Sequence, residues 1–198
     1  MNDDSSRSSL QTASSSTPSR EKPFESSKSS YTDHLIDILV REPRWKADPS
    51  FNDTSLIQDV LCAVLKNMDK TKNRFELSVL LTNDLEIQSL NKEYRQKDTP
   101  TNILSFESGY FLEKRKNDQV QEIIPLGDLA LSYETLKKEA DSQHKTFQDH
   151  LTHLLIHGLL HLFGFNHEND KEAEEMEHLE ISILDKYFHI NNPYIAKG

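Results

Sequence analysis

The chain has a single cysteine, Cys62, so no disulfide can form within it and a zinc site built on cysteine thiolates is excluded. One lone thiol is also consistent with a reducing compartment. No apolar run approaches the ~20 residues that a helix needs to span a bilayer. The first residues hold no hydrophobic stretch, so a secretory signal is not expected. Asp3 and Asp4 precede any basic residue, which argues against a mitochondrial presequence. The expected location is the cytoplasm. An excess of positive charge is missing too: 23 Lys and Arg against 33 Asp and Glu leave a formal net charge of -10. That balance counts against a general nucleic-acid binder, which usually presents a basic face. There is no aromatic RNA-stacking motif and no internal repeat.

The acidity is uneven. Glu168 to Glu180 holds seven acidic residues and one lysine, whereas the first 30 residues carry four charges of each sign. Basic clusters remain at Lys66–Arg74 and Lys114–Lys116, and Lys92, Arg95 and Lys97 lie close together. The surface can therefore be polarised; the alternative is scattered, solvated lysines. Twelve of residues 1–30 are serine and almost none is apolar. Such a segment cannot bury enough surface to offset its ordering entropy. We expect residues 1–30 to form a disordered Ser-rich tail and residues 31–198 a single domain.

Against these absences stands one dense stretch, His157-Gly-Leu-Leu-His161-Leu-Phe-Gly164-Phe-Asn-His167. Histidines four apart lie one above the other on a helix face. Gly164 can adopt the left-handed conformation that ends a helix, and the chain can then turn back to deliver His167. Three protein ligands leave a fourth position on a divalent ion, the arrangement of a catalytic zinc site. His157, His161 and His167 are the expected ligands of one Zn2+ per chain, although imidazoles also accept other transition metals. His153 lies on nearly the same face. It is about 12 Å of helix rise from His161, so we read it as a packing residue or a support for a ligand. His150, His178 and His189 read as ordinary residues.

The spacing matches the H-E-x-x-H-x-x-G-x-x-H frame of metzincin proteases. Their general base follows the first histidine; here that position is Gly158, which cannot accept a proton. A glycine inside a helix costs on the order of 1 kcal/mol relative to alanine. We therefore expect a close approach there, by a neighbouring helix or by a substrate backbone.

These residues resemble the YbeY family of endoribonucleases, whose pattern is H-G-x-L-H-L-x-G-x-D-H. The chain matches it at His157, Gly158, Leu160, His161, Leu162, Gly164 and His167 and departs from it at Asn166. Two further segments are similar to the family's. One runs from Leu90-Asn91 through Tyr94-Arg95, Asp98 and Pro100-Thr101-Asn102 to Leu104-Ser105-Phe106. The other is Leu126-Gly127-Asp128-Leu-Ala-Leu-Ser132. The resemblance spans about residues 77–180. It implies a metal-dependent, single-strand-specific endoribonuclease acting in small-subunit rRNA maturation and ribosome quality control. It also implies the small ribosomal subunit and an assembly GTPase as partners. Asn keeps hydrogen bonding at position 166 but cannot take a proton. If the family's Asp is a base, this chain should be slow; if it only orients, little changes.

The periodicity predicts strands at 35–40, 74–82, 102–106 and 126–133, with Trp45 and Phe51 plugging the core from a loop. Helices are predicted at 55–67, 84–94, 134–141, 147–163 and 169–188. Asn83 and Glu86 form a capping box, and Gly109–Gln121 should be an exposed loop. The sum is an α+β domain: about four strands in a mixed sheet, packed with helices around a central metal-binding helix.

Zinc on three neutral imidazoles keeps its full charge. It lowers the pKa of water to about 7 and polarises phosphoryl oxygens. A cation beside it would hold the charge that builds on non-bridging oxygens. Arg95 is the candidate catalytic residue, because guanidinium binds phosphate oxygens bidentately. The alternative is a surface arginine paired with an acidic neighbour. Ser105 and Asp128 sit on predicted strands, either facing the cleft or in buried structural roles. Two other functions stay open: a metal hydrolase with a non-RNA substrate, and a non-catalytic ribosome-assembly factor with structural zinc.

Overall fold

Phe75, Leu77, Val79 and Leu81 alternate with Glu76, Ser78 and Leu80 along β2 (Arg74–Thr82), and all four are buried on one face of the sheet. The structure is a computed structural model describing residues 34–51, 54–68, 70, 73–110 and 123–194. The Ser-rich segment 1–30 and nearly all of the expected loop after Gly109 lie outside the described residues.

The elements follow in the order β1 (Leu35–Val40), α1 (Arg44–Ala47), α2 (Ser55–Asn67), β2, α3 (Asp84–Arg95), β3 (Ile103–Glu107) and β4 (Ile123–Ser132). Then come α4 (Tyr133–Ser142), α5 (Phe147–Leu162), α6 (Asp170–Ile183) and a π-helical turn over Leu184–Phe188. The sheet order is β1-β2-β4-β3. β1 and β4 both run parallel to β2, and β3 pairs antiparallel with β4. This is the four-stranded mixed sheet that the sequence predicts, packed among the described residues with six α-helices in an α+β fold.

The two faces differ. The first holds Leu77, Ile103, Leu129 and Leu131 in the main core with α2 and α5. On the second, Leu104 and Ala130 meet Ile87 of α3 in a smaller cluster. Beside α3 the second face is open, forming a groove of about 390 Å³ that includes Leu39, Tyr94, Phe106 and Asp128. α5 is the most enclosed helix: Leu151, Leu155, Ile156, Leu159 and Leu160 are all buried. It packs on β3, β4, α2, α4 and α6. Thr146 starts it by accepting a hydrogen bond from the Asp149 amide at 3.0 Å.

Several details differ from the expectation. Trp45 sits in the short helix α1 rather than a loop. It is fully buried, and its Nε1–H donates to the Thr82 carbonyl at 2.9 Å. Asn83 does cap α3, accepting from the Glu86 amide at 3.0 Å. The Glu86 carboxylate, however, is drawn to the Arg41 guanidinium and the Thr82 hydroxyl, so the cap is one-sided rather than a reciprocal box. A charged partner holds a carboxylate more strongly than a backbone amide does. β4 starts three residues earlier than predicted. The last helix changes to π geometry at Leu184 and ends at His189, whose φ is +55°.

Candidate metal centre

The end of α5 builds the site. Gly164 has φ +88° and donates its amide to the His161 carbonyl at 2.8 Å. The Phe165 amide reaches back to the Leu160 carbonyl at 3.1 Å. The pair of bonds is a Schellman closure, which needs a residue tolerant of positive φ. The turn has a second effect: it aims the Phe165 carbonyl at His161, whose Nδ1 donates to it at 2.9 Å. The chain then doubles back, and the ring of His167 lies 5.1 Å from that of His161 and 5.7 Å from that of His157. One ligand-competent atom from each of the three histidines lies within 4.8 Å of the others.

The proton positions follow from the partners. His157 Nδ1 lies 2.8 Å from Glu180 Oε1, and His161 Nδ1 faces a backbone carbonyl. Both partners only accept, so each Nδ1 carries the hydrogen. Both Nε2 lone pairs therefore point at one another across 3.1 Å. A shared proton or a cation relieves that repulsion. A tetrahedral ion with bonds of ~2.0–2.1 Å would set such nitrogens roughly 3.3 Å apart. The donor set, two imidazoles on the last turns of α5 and a third five residues beyond its end, fits a zinc-like ion.

Burial pushes the His161 imidazolium down, helped by the neighbouring His157 and His167 and by Arg95, to about 4 from the usual 6.5. In the metal-free protein, the unfolded chain thus binds this proton first as pH falls. The stabilisation is complete above pH 6.5 and is lost as pH drops towards 4. Following the ring by NMR in metal-free protein should place its protonation near pH 4, with stability in urea falling across the same window. A midpoint at the ordinary value would contradict this environment.

Arg95 ends α3 and is exposed, close enough for its charge to disfavour a proton on His161. Among the described residues it forms no ion pair, unlike Lys92, which is held by Asp98 at 2.7 Å. Ser105 points to the α5 side of the sheet: its Oγ would lie 3.2 Å from a Cβ at Gly158. Asp128 sits on the opposite face, exposed in the groove, so β4 brings Leu129 rather than Asp128 towards α5. What presses on Gly158 is neither a helix nor a substrate. A Cβ there would meet Ile103 Cδ1 at 2.6 Å and Leu129 Cδ2 at 2.9 Å, so the glycine lets α5 sit tightly on the sheet.

The family model for endoribonuclease YbeY matches residues 41–188. The chain belongs to the YbeY family. It is 39% identical over 160 residues to the endoribonuclease YbeY of Bradyrhizobium diazoefficiens, covering 81% of this chain and 85% of that one. It is 44% identical over 147 residues to the endoribonuclease YbeY of Ruthia magnifica, covering 74% and 94%. The solution structure of TM1509 from Thermotoga maritima is similar in fold, with TM-score 0.51 and 22% identity, over 78% of this chain and 90% of that one.

In this YbeY-family chain two site residues were not singled out from the sequence. Glu180 is fully buried and touches His157, His153 and Tyr194. Tyr194 comes from the segment after the π-helical turn. Glu180 was hidden in the acidic run, which reads as a solvated face. Its signal is positional: Met176, Glu180 and Ile183 share the buried stripe of α6, and an acid on an apolar stripe needs partners. His153 bonds the same carboxylate as His157 and so supports that ring indirectly. His150 is tied to Glu139 at 2.8 Å, and Asn102 donates to the same carboxylate at 2.9 Å, so Asn102 anchors β3 to α4. Among the described residues no helix is long and apolar enough to cross a membrane.

Proposed function

We propose that this chain is a zinc-dependent endoribonuclease that cuts single-stranded rRNA in maturation and quality control of the small ribosomal subunit. His157, His161 and His167 hold the ion, and Arg95 contacts the scissile phosphate. The observation that carries the reading is the family match over residues 41–188, which includes all four of these residues. The small subunit and an assembly GTPase are the partners we propose, in the cytoplasm. Residues 31–198 form the hydrolase domain, with residues 1–30 as its tail.

A zinc ion at this place supplies a positive charge to a phosphodiester oxygen and eases the deprotonation of water. The residues of the chain do the remaining work. Glu180 and the Phe165 carbonyl each hold one Nδ1, so two imidazoles are fixed in orientation with Nε2 turned to the site. The guanidinium of Arg95, free of a carboxylate partner among the described residues, is available to two phosphate oxygens at once. Its place beside the histidines suits the charge that develops on those oxygens.

The test is cleavage of an end-labelled single-stranded rRNA fragment, with the same fragment annealed to its complement as control. The single strand should be cut and the duplex spared. Arg95→Glu should retain zinc and lose about 10- to 100-fold in kcat/KM, the worth of a charged hydrogen bond of roughly 1.5–3 kcal/mol. Equal rates in wild type and Arg95→Glu at equal zinc content would remove Arg95 from the mechanism.

A further inference from the structure

Glu180 has no exposed surface, yet it is a carboxylate on the buried stripe of α6 that also carries Met176 and Ile183, facing two histidines of α5. A buried carboxylate is costly unless its oxygens are filled. Both of them are. Oε1 accepts from His157 Nδ1 at 2.8 Å. Oε2 accepts from His153 Nε2 at 2.9 Å and from the Tyr194 hydroxyl. Burial would raise its pKa, but the donated bonds from His153 and His157, with Tyr194, outweigh that and hold it near 2.

The consequence lies in His157. A neutral imidazole has one N–H, and an anion at Nδ1 fixes it there. Nε2 is then a lone pair, and it is Nε2 that faces His161 at 3.1 Å. A carboxylate behind a ligand imidazole also raises its basicity and holds its plane. α5 carries both His157 and His153, while Glu180 comes from α6 and Tyr194 from the segment beyond it. The bonds therefore tie three parts of the chain to one ligand.

We propose that Glu180 is a positioning residue of the histidine site, holding His157 in the tautomer whose Nε2 faces the site, with His153 and Tyr194 fixing Glu180 in turn. This rests on the metal-site reading above, but its core is a statement about His157 that holds without a metal. His153 also explains why a glutamine should be tolerated. Its Nδ1 is buried and has no partner among the described residues. If an amide NH2 replaced Oε2, the His153 proton could move to Nδ1 and Nε2 could accept. Glu180→Gln removes the anion with little change of shape.

Two measurements on the full-length chain test this. Long-range 15N NMR of the histidine rings in metal-free wild type should show His157 protonated at Nδ1. Competition with a chromophoric chelator should show Glu180→Gln binding Zn2+ about 10- to 100-fold more weakly than wild type, with unchanged circular dichroism. In Glu180→Ala, where no acceptor is left facing Nδ1, the His157 ring should become a mixture of tautomers. A wild-type His157 protonated at Nε2 would overturn the proposal, as would a folded Glu180→Gln with wild-type zinc affinity. If wild type bound no zinc, the metal reading would fall, and the NMR result alone would decide the role of Glu180.

Discussion

His161→Ala should lose tight zinc binding and, with it, cleavage down to background. The expected effect is large because His161 is the middle of the three rings. It lies 4.6 Å from His157 and 5.1 Å from His167, centre to centre. Two imidazoles, one of them on exposed His167, cannot enclose an ion as three can. The fold should survive. His161 is only partly buried, and its one protein bond besides the facing imidazole is to the Phe165 carbonyl. The Schellman bonds that close α5 are backbone bonds and do not depend on this side chain. Zinc affinity should fall by at least about 100-fold, more than for loss of an outer partner, while the urea midpoint of the metal-free protein changes little. A variant that kept wild-type zinc affinity would exclude His161 as a ligand.

Gly158→Glu should be the most damaging substitution for stability. It places the general-base residue of the metzincin frame where that frame has it, so it also asks whether this helix can accept that chemistry. The geometry says it cannot. The side chain would start 2.6 Å from Ile103 Cδ1 and 2.9 Å from Leu129 Cδ2, against the sheet. Overpacking costs about 1–3 kcal/mol, and a buried carboxylate without a partner costs several more. A loss of about 4 kcal/mol or more is expected, a large share of a domain's stability of roughly 5–15 kcal/mol. Gly158→Ala is the useful comparison. It regains about 1 kcal/mol of helix propensity against the same overpacking range, so its net loss should stay below about 2 kcal/mol. Urea denaturation of both variants checks the order. Wild-type stability in Gly158→Glu would mean that α5 does not press on the sheet here.

Much of this was legible in the sequence because the signals were local. The i, i+4 histidines, the helix-ending glycine and His167 come within eleven residues. Their geometry is set by helix pitch and one turn, which spacing alone dictates. The alternating run Phe75–Leu81 likewise fixed a strand and its buried face. What escaped depends on long-range pairing. Glu180 meets His157 only once α6 has folded back on α5, and its neighbours in sequence are solvated acids. Gly158 signalled a close approach, but which element approached depended on the register of β3 against β4. Asp128 illustrates the cost of period two: one residue along, Leu129 faces α5 and Asp128 faces the groove. Glu86 had a textually complete capping pattern, yet Arg41, 45 residues away, competed for its carboxylate.

The most direct test of the central claim is a zinc titration of metal-free protein, reading cleavage of the single-stranded rRNA fragment and bound zinc in the same samples. Cleavage should rise in proportion to bound zinc, level off at about one ion per chain as three histidine ligands allow, and stay at background in His161→Ala throughout. Full occupancy by one zinc with no cleavage above the His161→Ala background would contradict the account and favour a zinc-bearing assembly factor instead.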